Sequence, residues 1–479
     1  MPITQKPSAA HRRTSPELLI PRQRSSFSQL ARWGWVAVFA LLCSWSVGAR
    51  DLPSTKAERE GFSSQRLARI GTHMNQAVAD GTMVGGLGLV ARNGRVVYSD
   101  TWGMRDREAR TAMTSDSIFR IYSMSKPITG VALMMLFEEG KFLLNEPVAK
   151  YLPELAGLEV ALATADAGSS AASDGTRSAA VNKADSAASA GATRPPRRQP
   201  TIRDLMRHTA GFTYGVFGNT EVDRQYREAQ LLSDGLTLEE FVKRIGKIPL
   251  QYEPGDRWHY SVSVDIQGRL VEALSGQRFG DFLQQRIFAP LGMVDTSFFI
   301  DPNKRDRVAK LYAPEGTPGS LNAFLTPSTS DQLMPADDFA DRGFQPGAKF
   351  ESGGGGLLST AMDYLRFCQM LLNGGELNGV RLLSPRSVAM MSSDQLGDVT
   401  QPYPSPGVSF GLNFAVVGDP GARGDSGSAG EYNWGGAAGT KFWIDPQENV
   451  IGVFMVQSLP HRTTLGDEFK VLTYQALLE

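Results

Sequence analysis

The stretch Arg120-Ile121-Tyr122-Ser123-Met124-Ser125-Lys126-Pro127-Ile128-Thr129 sets two serines and a lysine within four positions, just ahead of an apolar run. A serine hydroxyl is a poor nucleophile until a neighbouring base takes its proton. A lysine can be that base where burial and the positive end of a helix lower its pKa. The pattern predicts a helix from Ser123 to Glu139, with Leu133, Met134, Leu136 and Phe137 as its apolar body and Gly140 as its stop. Pro127 lacks an N–H and is tolerated only in a first turn, so the helix must begin close to Ser123. Residues three apart share a helix face, whereas adjacent residues do not. Ser123 therefore faces Lys126 and Ser125 points elsewhere. A serine at a helix start also aims its own N–H at an incoming oxyanion. Taken alone, Ser-x-x-Lys is equally the signature of a helix cap followed by a solvated lysine.

Other nucleophile patterns are weaker. Gly407-Val408-Ser409-Phe410-Gly411 matches G-x-S-x-G, a motif that requires a strand, a sharp turn and then a helix. Here Phe410–Val417 alternates like a strand and no helix follows, so Ser409 is a decoy. Beyond residue 50 the histidines are His73, His208, His259 and His461, a thin supply for a Ser-His-Asp triad, and His208 reads as a structural hydrogen-bonder at a helix end. No paired His/Cys spacing suggests a metal. Two further stretches stand out. In Pro254-Gly255-Asp256-Arg257-Trp258-His259-Tyr260 a turn leads to a tyrosine, followed by a helix over Asp265–Leu274. In Trp434-Gly435-Gly436-Ala437-Ala438-Gly439 a glycine-rich segment feeds a strand, and glycines there let a backbone approach a ligand.

The elements that must hold these residues begin with a helical pattern over Ser63–Gly81. A hairpin follows, turning at Asn93-Gly94, and a second hairpin joins Thr440–Ile444 to Val450–Val456 before a last helix over Leu465–Leu478. The fold class expected is α/β in the α+β sense: one antiparallel sheet from both chain ends, flanked by terminal helices, beside a mainly helical lobe over about 127–385. Residues 161–193 are nearly all Ala, Ser, Gly, Asp and Thr, and read as a disordered insertion extended by Arg194–Arg198.

Ahead of residue 50, six basic residues against Glu17 precede the apolar run from Trp33 and the small residues Val47 and Ala49. This describes an export signal, 1–49, cut after Ala49, with one domain at 50–479. The alternative is an inner-membrane anchor formed by residues 33–47, a run short of the roughly 20 residues that span a bilayer comfortably. Cys43 would leave with the signal and Cys368, in a helical pattern, reads as buried packing. The formal net charge of −1 gives no footprint for nucleic acid.

Together these stretches resemble the serine hydrolases of the class C β-lactamase superfamily, and most of all the carboxylesterases called family VIII. The resemblance covers nearly all the chain beyond the signal and outside 161–193. It rests on Phe119–Ile128, on Ile202-Arg203-Asp204-Leu205-Met206-Arg207-His208-Thr209-Ala210-Gly211, and on Gly353–Gly356 before Leu357-Leu358-Ser359-Thr360. It implies Ser123 as nucleophile, Lys126 as general base, Tyr260 as proton shuttle, and an oxyanion hole from the N–H groups of Ser123 and Ala437, with Trp434, Gly435 and Gly436 lining the substrate. No cofactor or metal is implied. The chain departs from β-lactamases and peptidases of the superfamily at Tyr260-Ser261-Val262, which lacks their asparagine, and at Trp434-Gly435-Gly436, which replaces their Lys-Thr-Gly. The amide and the cation that hold an acylamide and its carboxylate are missing, which favours small-molecule esters. Alternatives are a β-lactamase or D-amino-acid peptidase on the same fold, and a non-catalytic peptidoglycan-binding or sensing protein.

Overall fold

Asn93 and Gly94 both have positive φ, 51° and 76°, the geometry of a type I′ turn. They join β1 (Gly85–Arg92) to β2 (Arg95–Asp106), and a short β3 (Thr111–Ala112) pairs with the far end of β2. The chain rejoins this sheet only near its C-terminal end, with β4 (Val408–Phe410), β5 (Ala415–Val417), β6 (Tyr432–Gly435), β7 (Lys441–Asp445) and β8 (Val450–Val456). The order is β4-β5-β6-β7-β8-β1-β2-β3, antiparallel throughout, and the central register runs from Gly86↔Val456 to Arg92↔Val450. In this computed structural model the chain divides into Met1–Gly48 and Ala49–Glu479. The structure describes residue 2 and residues 51–478 except 163–190, 318–327, 329, 337–341, 398, 401, 402 and 404. The expected export signal and most of the low-complexity insertion thus lie outside the described residues. Among the described residues no helix is long and apolar enough to cross a membrane.

The sheet is covered on both faces by helices that include α1 (Ser64–Ala79), α2 (Ser125–Glu138), α3 (Ser263–Ser275), α4 (Ala361–Leu372) and α5 (Leu465–Tyr474). Strand alternation sorts the side chains. Phe442, Ile444, Ile451, Val453 and Met455 join the large core with α2, α3 and α4, while Trp443, Val450, Phe454 and Val456 join a second core with α1 and α5. Two glycines make room for rings in that second core. A Cβ on Gly452 would stand 2.1 Å from the Trp443 indole, and one on Gly88 would stand 2.6 Å from Phe469. Helix α2 is buried at every position from Ser125 to Leu136, the state of a helix that is apolar on all sides. Cys368 in α4 is a buried free thiol whose pKa burial pushes up, as a packing residue should be.

Beyond shifts of a residue or two at several element ends, three departures from the sequence-based expectation bear on the fold. The helix after Ser123 starts at Ser125, and Tyr122–Met124 form a single 3₁₀ turn ahead of it. The last helix ends at Tyr474, not Leu478. At the edges of the expected insertion, Val160–Ala161 pairs with Thr193–Arg194 as a two-stranded ribbon, and Arg194, Arg197 and Arg198 make ion pairs with Glu253, Asp256 and Asp204. These partners lie far along the chain, so composition read locally does not reveal them.

Candidate active site

Ser123 is presented by a strained corner. Tyr122 has φ 42°, in the left-handed region, and the Ile121 N–H donates to the Leu357 carbonyl at 3.0 Å, pinning the chain just before the turn. Lys126 follows in the first turn of α2 with its side chain fully buried. Its Nζ stands 3.1 Å from Ser123 Oγ, 3.0 Å from Tyr214 Oη and 2.6 Å from the Gly354 carbonyl. Ser125, by contrast, is buried and its Oγ accepts the Leu357 N–H at 3.1 Å.

Tyr260 comes from the segment before α3 and its Oη donates to Ser123 Oγ at 2.7 Å. The Lys126 ammonium nitrogen lies 4.7 Å from the centre of the Tyr260 ring. Three side chains predicted for the chemistry, drawn from two distant parts of the sequence, therefore meet at one hydroxyl.

The glycine run 353–356 explains how a carbonyl reaches Lys126. A Cβ on Gly353 would stand 2.6 Å from the Val264 carbonyl and one on Gly354 would stand 2.8 Å from Asp265 Oδ2, so only bare backbone fits. The Gly354 N–H donates to Asp265 Oδ1 at 3.1 Å, and Ser352 Oγ donates to the same oxygen. Burial lifts the Asp265 carboxyl above its usual range against the pull of Ser352, the Lys126 charge and the Gly354 N–H. Tyr214 is buried, and burial together with Tyr260 and Asp265 pushes its phenol well above the usual value, so it stays un-ionised beside Lys126.

Trp434, half-buried on β6, faces Tyr260 with ring centres 5.6 Å apart and meets Phe410 edge-on at 5.3 Å. Trp258 also stacks on Tyr260 at 6.1 Å and contacts Tyr403 at 4.7 Å. These rings pack around Tyr260, whose hydroxyl reaches Ser123. Beyond Trp434 the strand ends at Gly435 and turns through Gly436 and Ala437. A Cβ on Gly436 would stand 2.4 Å from the Ile121 carbonyl oxygen, which brings this turn against the residues that precede Ser123. Ala437 and Tyr122 both pack against the small cluster of Leu311, Ala438 and Leu459, and the Ala437 carbonyl accepts the His461 N–H at 3.2 Å.

The remaining candidates fall elsewhere. Ser409 lies in β4 opposite Val416 and its hydroxyl donates to Asp394, with a strand and no helix after it. His208 is fully buried with φ 56°, its Nδ1 3.3 Å from Ser261 Oγ, and burial, then the Lys126 charge, hold its pKa well below the usual value. It is a structural residue, and its ring centre lies 5.0 Å from that of Tyr260. His259 is held down to about 4 by burial, and His73 sits at the surface against Glu468. Among the described residues no group of three or more His, Cys, Asp or Glu is placed to hold a metal.

The site roles of Tyr214, Gly354, Asp265 and the rings of Trp258, Tyr403 and Phe410 are not anticipated by the sequence reading, although Gly353–Gly356 and the stretch with Trp258 stand out in it. No spacing links them to Ser123, because their common partners, Lys126 and Tyr260, join them only in space. The nearest signal is position: Tyr214 follows Gly211 by three residues, and Asp265 opens α3.

The description Beta-lactamase belongs to the family model that matches residues 70–474. Protein Rv1367c of Mycobacterium tuberculosis is 31% identical over 389 residues, which cover 79% of this chain and 87% of the relative. Esterase EstB of Burkholderia gladioli is 29% identical over 385 residues, with the same shares of 79% and 87%. The solved structure of EstCE1, described as a hydrolase with promiscuous acyltransferase activity, shares the fold with a TM-score of 0.67 at 24% identity, covering 86% of this chain and 99% of that one. A family match over most of the chain, and a serine, lysine and tyrosine converging within it, lead to one conclusion: this chain belongs to the Beta-lactamase family and is a serine hydrolase.

Proposed function

We propose that this protein is an exported carboxylic ester hydrolase that works through an acyl-enzyme on Ser123. The observation that carries the reading is the convergence of Lys126 Nζ, at 3.1 Å, and Tyr260 Oη, at 2.7 Å, on Ser123 Oγ. Once deprotonated, an amine has two N–H donors and one lone pair. With Gly354 O and Tyr214 Oη as acceptors for the donors, the lone pair is left to take the Ser123 proton. Ser123 Oγ attacks the ester carbonyl, and the tetrahedral oxyanion is received by the N–H groups of Ser123 and Ala437, worth about 2.7–4 kcal/mol per donor in comparable sites. The C–O bond of the ester breaks as Tyr260 passes a proton to the departing alcohol. Water then attacks the acyl carbonyl and gives its proton to the Tyr260 oxygen, the bond from the acyl carbon to Ser123 Oγ breaks, and Lys126 returns its proton to Ser123 as the acid leaves.

Esters rather than β-lactams or peptides are supported by Trp434 where related enzymes carry a cation, by Ser261-Val262 after Tyr260, and by the esterase EstB among the relatives. Export is supported by the charged, apolar and small-residue sequence of 1–49. Ser123→Ala is expected to lower turnover of short-chain p-nitrophenyl esters by roughly 10⁴-fold or more, while Ser409→Ala keeps it. Mass mapping after fluorophosphonate treatment should place the label on Ser123. Full activity of Ser123→Ala would end the reading, and nitrocefin turnover as efficient as ester turnover would move it to β-lactams.

A further inference from the structure

The chain leaves the Val160–Ala161/Thr193–Arg194 ribbon and at once meets the segment that carries Tyr260. Arg194 Nη1 stands 2.5 Å from Glu253 Oε1 as an ion contact, and the Arg197 backbone N–H donates to Glu253 Oε2 at 3.1 Å. The Arg197 guanidinium reaches further along, with both carboxylate oxygens of Asp256 at 2.5 Å from its Nη2. Arg198 lies against Gly255, where φ is 92° and a Cβ would stand 2.2 Å from the Arg198 Nη2. Arg198 also donates to Asp204 at 2.5 and 3.1 Å. Asp204 accepts from Arg207 at 3.0 Å and from Thr209 Oγ1 at 2.8 Å, and the carbonyls of Thr209 and His208 take the N–H groups of Gly255 and His259, each at 2.8 Å.

An ion pair on an open surface contributes little. Here two of the carboxylates are enclosed, the Glu253 side chain being 9% exposed and that of Asp204 1%. A buried carboxylate left without its partner costs several times more than a surface pair contributes. Pro195-Pro196 stiffens the strap that bears the three arginines. The stretch it grips, between Leu250 and Val262, has no helix or strand of its own to place Tyr260.

We propose that Arg194, Arg197 and Arg198 are positioning residues for Tyr260, gripping its segment through Glu253, Asp256 and Asp204 so that the Tyr260 hydroxyl stays on Ser123. This rests on Tyr260 serving as the proton shuttle of the proposed esterase. None of the three arginines touches the Ser123 hydroxyl, and each acts through the loop.

The test is hydrolysis of p-nitrophenyl butyrate by Arg194→Ala combined with Arg197→Ala, made in the wild-type and Tyr260→Phe backgrounds, beside Arg197→Lys. The two guanidinium side chains are 44% and 62% exposed, so their removal opens no core cavity, and the melting temperature is read beside activity to report the cost of leaving Glu253 without them. The double variant should lose about 10- to 100-fold in kcat with KM changed less than about twofold. Arg197→Lys, which keeps the cation, should recover part of the loss, and the double substitution should cost little more on top of Tyr260→Phe. A wild-type kcat in the double variant beside an impaired Tyr260→Phe overturns the grip and leaves the role of Tyr260 standing. A loss of equal size in both backgrounds also overturns the grip, since the arginines then act on the fold at large. Full activity of Tyr260→Phe removes Tyr260 from the mechanism, and the grip with it.

Discussion

Ser123 and Ser125 are two residues apart and have opposite fates, and the spacing argument that separates them survives a change of helix type. Ser123 sits in a 3₁₀ turn, not in α2 itself, yet positions i and i+3 eclipse in a 3₁₀ turn just as they neighbour in an α-helix. Lys126 therefore still reaches Ser123, while Ser125 turns inward to the Leu357 amide. Tyr214 had no such local signal. Its un-ionised hydroxyl, 3.0 Å from Lys126 Nζ, helps hold the amine in line. Tyr214→Phe keeps the ring and removes that contact. It should lower kcat on p-nitrophenyl esters by about tenfold, less than the roughly 10²- to 10⁴-fold an acid–base group contributes because Tyr214 only orients the amine, with the melting temperature little changed. An unchanged kcat would leave Tyr214 as packing alone.

At the scale of elements, what was legible is what nearest neighbours decide. Asn93-Gly94 announces its hairpin because both residues tolerate positive φ, and the near-continuous apolar run of β8 announces a strand buried on both faces. What was not legible depends on partners far away. The Arg194–Arg198 strap looks like the tail of a low-complexity stretch until Glu253, Asp256 and Asp204 come to meet it. Gly452 likewise reads as a weak point in a strand until Trp443 is seen opposite it in register. Gly452→Val would drive a side chain into the indole, where a Cβ already stands at 2.1 Å. Urea unfolding should show a loss of about 1–3 kcal/mol or more. A stability equal to wild type would mean that α1 and α5 can move aside for the ring.

At the scale of the whole molecule, burial sets how the fold responds to acid. Asp204 is pushed up by burial, but Arg198, the Thr201 N–H and Arg207 outweigh this and bring it to about 2 from an ordinary 3.8. Its stabilising contribution is complete above pH 3.8 and fades as pH falls toward 2. Asp363 has the opposite sign: raised by burial to about 6, it takes up a proton in the folded state first and adds stability as pH falls. His461 is lowered by burial to about 4 from 6.5, so below pH 6.5 the unfolded chain binds a proton that the folded chain refuses. Comparing wild type with His461→Gln cancels the other groups. Between pH 6.5 and 4 the wild type should lose about 3 kcal/mol relative to the variant, about 1.4 kcal/mol per pH unit, read from denaturation midpoints. A constant difference across that range would show that the imidazole titrates alike in both states. The central pairing of β1 with β8 has a consequence of another kind. Gly86 and Val456 face each other in register across the strand pair, about 370 residues apart in sequence. A ribosome adding 5–20 residues per second needs on the order of 20–70 s to bring them together. Throughout that interval the first hairpin presents an unsatisfied strand edge, and the nascent chain cannot close its sheet before its last strands emerge. Such a chain stays threadable through a translocation pore until synthesis is nearly complete.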